Sequence, residues 1–109
     1  MVVTKEKARI YQEALNQWGM DSQINMAIEE MAELISVLQH YRRKKTWGHL
    51  ATVEDIADEI ADVEIMMEQL KFMFGIGSLQ LFQIKEKKLN RVKKLLVQEQ
   101  GGANDKVVG

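Results

Sequence analysis

Apolar residues recur every three or four positions along most of this chain, in four segments separated by glycines or by a polar loop. Thr4 to Trp18 carries Ala8, Tyr11, Ala14 or Leu15, and Trp18 on one stripe, the spacing of an amphipathic helix. Thr4 is placed to cap this helix and Gly19 to end it. Asp21 or Ser22 then caps a second helix that runs to about Arg43. Its basic end, Arg42-Arg43-Lys44-Lys45, suits the negative pole of the helix dipole. After the loop Thr46–Ala51, Thr52 and Asp55 make a capping-box-like start for a third helix, which continues to about Phe74. Gly75-Ile76-Gly77 breaks the pattern, Ser78 caps a fourth helix, and that helix ends near Gln98. No segment alternates as a strand does. The pattern predicts an all-α chain of antiparallel helices joined by short loops. Residues 1–98 form one domain, and 99–109 lack periodicity and read as a disordered tail.

The middle two helices depart from simple amphipathicity. At about 100° per residue, Ile24, Ala27, Ile28, Met31, Leu34, Ile35 and Leu38 share one broad arc, the expected core face. Met26, Glu30, Glu33 and Val37 form a second stripe in which half the members are apolar. In the third helix Ile56, Ile60, Val63, Met67, Leu70 and Phe74 make the core arc, flanked by Asp55, Glu59, Asp62, Met66 and Met73. Carboxylates set among apolar neighbours lose hydration and repel one another. Protonation, basic side chains or a metal ion must compensate them. Residues three apart are neighbours on a helix surface. Glu30 with Glu33, and Glu59 with Asp62, are therefore two pairs of oxygen ligands of the kind that suits Mg²⁺ or Mn²⁺.

Composition narrows the alternatives. The chain has 109 residues, which is one domain near the low end for a self-sufficient core. The absence of cysteine excludes disulfides and thiolate metal sites. No apolar run is long enough to span a bilayer and Met1–Lys5 has no signal-peptide apolar region, so a cytoplasmic protein without a membrane partner is expected. The net charge of −1 gives no global attraction to nucleic acid. The charge is nevertheless segregated. Ten of sixteen acids lie between Glu29 and Glu68, and six bases crowd Lys85 to Lys94.

Glu29-Glu30-x-x-Glu33, followed after 25 residues by Glu59-x-x-Asp62 and then by a basic fourth helix, resembles the MazG-like family of the all-α NTP pyrophosphohydrolase superfamily. The resemblance extends from the first helix to the fourth. It implies a four-helix MazG-like bundle completed by oligomerisation, as a tetramer in preference to a dimer. It implies hydrolysis of (d)NTP to (d)NMP and pyrophosphate with Mg²⁺ (or Mn²⁺), a nucleotide-pool house-cleaning activity. Carried over by position, Glu30, Glu33, Glu59 and Asp62 would be the metal ligands, with Glu29 in a supporting place. Glu33 is the candidate base that accepts the attacking water's proton, and Glu30 joins it in the catalytic set. Asn90, in Lys88-Leu89-Asn90-Arg91, falls where related dNTP pyrophosphatases carry a base-binding asparagine; the tyrosine-proline pair usual after that segment is absent. Trp47 falls where family members place a tryptophan that could stack on a base.

Other features carry two readings. Lys88 shares a helical arc with Leu81, Val92 and Leu95; with Arg91 it is a candidate phosphate contact, or it snorkels to water. Trp47 could equally plug the core beneath its loop. Neither His40 nor His49 stands three residues after a glutamate, which removes the Glu-x-x-His pair of a di-iron bundle. The alternative function is a small helical nucleic-acid-binding or adaptor protein using the basic fourth helix. The acids of the middle helices and the lack of a recognition motif count against it.

Overall fold

The structure, a computed structural model, describes residues 3–43 and 51–102. Four α-helices follow in order: α1 (Lys5–Trp18), α2 (Met20–Arg42), α3 (Val53–Phe74) and α4 (Ser78–Gly102). No strand occurs among the described residues. No helix among them is long and apolar enough to cross a membrane. The chain divides into two units, Met1–Ile76 and Gly77–Gly109, and each is treated by itself below.

Helix boundaries follow local chemistry. The Lys7 amide donates to Thr4 Oγ1 at 3.2 Å, capping α1 as its sequence predicts. Gly19, at φ 87°, is a conformation that side-chain-bearing residues rarely adopt. The sequence places a cap for α2 at Asp21 or Ser22, but the helix already begins at Met20, with Gly19 as its uncapped N-terminal neighbour. One glycine is enough to turn the chain, so those two side chains lie inside the helix. At α3 the expected capping box forms: the Asp55 amide donates to Thr52 Oγ1 at 3.1 Å and the Thr52 amide to Asp55 Oδ2 at 2.9 Å. Gly75 closes α3 in the left-handed conformation, φ 64° and ψ 32°, and the Ile76 amide returns to the Lys71 carbonyl at 2.9 Å.

Within the first unit, α2 and α3 make the principal contact and α1 packs against both. Its buried apolar residues are Tyr11, Ala27, Val63 and Met66, joined by the polar Gln23, Glu68 and Gln69. This corrects the expected core arcs. Ile28, Ile35 and Leu38 on α2, and Ile60, Met67 and Phe74 on α3, are exposed on the single chain. The less exposed α2 positions include Gln23, Ala27, Glu30, Leu34 and Val37, a seam rotated from the apolar arc toward the carboxylate stripe. Met66, expected on a flank, is buried. Two buried polar pairs lie at the helix contacts instead (Gln23 with Gln69, Tyr11 with Glu68), and hydrophobicity alone does not report them.

The second unit contains α4. The Leu81 amide donates to the Gly77 carbonyl at 3.1 Å, so the helix starts at Ser78 itself. It continues to Gly102, four residues beyond the expected end at Gln98, and residues 103–109 of the expected tail lie outside the described ones.

Candidate metal centre

Glu30 and Glu33 stand one turn apart on α2, as do Glu59 and Asp62 on α3, and the packing of the two helices brings the pairs together. One carboxylate oxygen from each of Glu30, Glu33 and Glu59 lies within 4.8 Å of the others. Asp58, Glu59 and Asp62 make a second group by the same measure. Glu59 belongs to both, so the acids form one continuous patch. Glu30, Glu59 and Asp62 are half-buried, whereas Glu33 and Asp58 are exposed.

Among the described residues nothing of opposite charge relieves this patch. Glu30 Oε2 and Glu59 Oε2 are buried and have no hydrogen-bond partner among the described residues. No lysine or arginine among those residues pairs with any of the four acids. Loss of hydration holds the Glu30 carboxyl above its ordinary 4.5, helped by the charges of Glu33 and Asp62, a hydrogen bond with Asp62, and Glu29. Glu59 is raised for the same leading reason, followed by Glu33, Asp62, Glu30 and Asp58. Buried polar atoms are normally satisfied, and like charges this close resist joint ionisation. Oxygen donors from two helices, two of them unpartnered, fit a hard divalent cation such as Mg²⁺ or Mn²⁺.

Glu68 provides the contrast within the same unit. It is 5% exposed, yet the Tyr11 hydroxyl donates to its Oε1 at 2.6 Å and Lys7 Nζ lies 3.4 Å away. The Tyr11 hydrogen bond and the Lys7 charge hold its carboxyl below the usual value in spite of burial. The Tyr11 phenol is pushed up to about 12 by burial and by Glu68. A more deeply buried acid is thus compensated, chiefly by Tyr11 and Lys7 of α1, while among the described residues no such partner meets the Glu30–Glu59 patch.

Beside the patch lies a cavity of about 230 Å³ lined by Val37, His40, Ala51, Asp55, Asp58 and Glu59. It provides space against the carboxylates on the side where α2 ends and α3 begins. Of the other sequence candidates, Lys88, Asn90 and Arg91 lie on α4 and are exposed. Trp47 lies outside the described residues. Asp58 has no role predicted from the sequence, although its place four residues before Asp62 is a readable signal. Gln23 and Gln69 are likewise unpredicted, because their polarity gives no hint of their burial.

No protein-family model, curated protein or solved structure matches this chain.

Proposed function

We propose that the chain is a Mg²⁺-dependent, MazG-like nucleoside triphosphate pyrophosphohydrolase that converts (d)NTP to (d)NMP and pyrophosphate in a cytoplasmic house-cleaning role. The observation that carries this reading is the uncompensated patch: four acids on two helices, with Glu30 Oε2 and Glu59 Oε2 buried and unpartnered among the described residues. A bound Mg²⁺ (or Mn²⁺) would neutralise triphosphate charge and acidify a water nucleophile there.

The chain's own residues divide the remaining work. Glu30, Glu59 and Asp62, half-buried, are the holding ligands, with Glu33 completing the set. Glu33 is the most suitable base, because its exposure lets it meet a water and release the proton afterwards. Water adds to the α-phosphorus, its proton passes to Glu33, and the bond from that phosphorus to the bridging oxygen breaks, releasing pyrophosphate. Glu30, one turn from Glu33 on α2, joins it in the catalytic set. Lys88 and Arg91 are proposed as phosphate-binding cations, Asn90 as a base contact and Trp47 as a stacking residue; these four assignments rest on the sequence.

The cross-helix partners support an antiparallel α2–α3 pair, since Gln23 meets Gln69 while Glu30 meets Asp62. The exposed Ile28, Ile35, Leu38, Ile60, Met67 and Phe74 favour a bundle completed by other copies, a tetramer in preference to a dimer. The activity is tested with a panel of NTPs and dNTPs in Mg²⁺, scored for monophosphate and pyrophosphate. Release from at least one substrate, abolished by chelator, is expected. Orthophosphate release alone, or turnover unaffected by chelator, contradicts the reading.

A further inference from the structure

Two adjacent residues of α3 are each committed to a different helix. Glu68 accepts from Tyr11 on α1, and Gln69 Nε2 donates to Gln23 Oε1 on α2 at 2.6 Å. Gln23 is 2% exposed and Gln69 4%, so this carboxamide pair lies inside the α2–α3 seam. Gln23 Nε2 has no partner among the described residues. A pair chosen for stability alone would not leave a buried donor unsatisfied.

Its place along the seam suggests another role. Gln23 stands seven residues before Glu30, and Gln69 seven residues after Asp62. The pair is therefore two helical turns from the Glu30–Asp62 contact on both helices. Between them the buried apolar residues are Ala27, Val63 and Met66, a small residue, a branched one and a flexible thioether. Apolar contact is non-directional, and methionine adapts to irregular gaps, so this stretch tolerates a slide by one turn, about 5.4 Å. The carboxylates do not select one register, because acids still face acids after such a slide: with Gln23 level with Met66, Glu30 would stand level with Glu59. The Tyr11–Glu68 bond joins α1 to α3 and does not itself include α2, although α1 packs against α2 as well. A one-turn slide would set Gln23 at the level of Met66 or Met73 and bury both carboxamides without each other, an outcome strongly disfavoured in a dry interior.

We propose that Gln23 and Gln69 are positioning residues that fix the register of α2 against α3, and thereby oppose Glu30 and Glu33 to Glu59 and Asp62. The consequence for metal binding rests on the function proposed above; the register itself does not.

The test uses the full chain, which has no native cysteine. Spin labels are attached through Ser36→Cys and Ala57→Cys, both exposed, and labelled chain is diluted with unlabelled chain so that distances are intramolecular. The parent should give one narrow distance. Gln23→Met with Gln69→Met keeps side-chain length and removes the polar pair. It should retain helical content and thermal stability, broaden the distance into populations about one turn (~5.4 Å) apart, and weaken Mn²⁺ binding about tenfold or more. A single distance unchanged from the parent overturns the proposal. So does parent-like Mn²⁺ affinity. If the double variant fails to fold, Gln69→Asn shortens one carboxamide by a methylene, and an unchanged narrow distance there is equally fatal. A parent that binds no Mn²⁺ refutes the metal centre, while the spin-label distances still decide the register.

Discussion

Glu30 on α2 and Glu59 on α3 each bury their Oε2 atom without a hydrogen-bond partner among the described residues, in one group of carboxylates whose oxygens lie within 4.8 Å. Two like-charged groups from different helices thus share a poorly hydrated space. Packing of the flanking seam holds them there, and a ligand of opposite charge would relieve them.

The pH dependence of stability follows from that relationship. Both carboxyls are raised above 4.5, burial being the first cause and neighbouring acids the next. A group whose folded pKa exceeds its unfolded value contributes stability that is complete below the unfolded value and lost as pH rises through the folded one. In chelator, the melting temperature is expected to fall as pH climbs from about 4.5 through the raised values. Glu30→Gln with Glu59→Gln should flatten that fall. An equally steep decline in the double variant would show that other groups cause it.

Glu68 has the opposite sign. Its lowered carboxyl, held by Tyr11 first and then by Lys7 against burial, stabilises the fold above 4.5 and loses that contribution as pH drops through the lowered value. Tyr11→Phe deletes the 2.6 Å hydrogen bond to a buried carboxylate. It should cost about 1–3 kcal/mol near neutrality, measured by urea denaturation. The difference from wild type should shrink in acid, where Glu68 is protonated in both. A difference independent of pH would mean that the loss is one of packing.

Much of this was readable from the chain, and the limits have physical causes. The four helices, the Thr4 cap, the Thr52–Asp55 box and the Gly75 stop all follow from short-range chemistry, which a sequence displays directly. So does the pairing of Glu30 with Glu33 and of Glu59 with Asp62, since i, i+3 spacing is a property of one helix. Which face meets the neighbouring helix is a property of two. Ile28, Ile35 and Leu38 look like core by periodicity yet are exposed on the single chain, while Gln23 and Gln69 look like surface yet are buried. A glutamine pair becomes internal only when both helices present one at the same level, and that coincidence needs the register. Asp58 joins the acidic group for a similar reason, by reaching Glu59 and Asp62 from the turn before.

The exposed apolar residues carry a prediction about assembly. Ile28, Ile35 and Leu38 on α2, with Ile60, Met67 and Phe74 on α3, leave more apolar surface open than a solitary small domain usually carries. Light scattering at micromolar concentration should return the mass of a homo-oligomer, a tetramer before a dimer. Ile35→Glu should shift that mass downward. A monomeric wild-type mass would end the assembly proposal.

The central claim is that Glu30, Glu33, Glu59 and Asp62 together hold a divalent cation. The most direct measurement is calorimetric titration of Mn²⁺ into the wild-type chain and into Glu59→Gln, the residue common to both oxygen groups. The account predicts saturable binding by the wild type, accompanied by a rise in melting temperature that monovalent salt does not reproduce. It predicts loss of most of that binding in Glu59→Gln, with helical content preserved. No binding by the wild type, or equal binding by both chains, would contradict it.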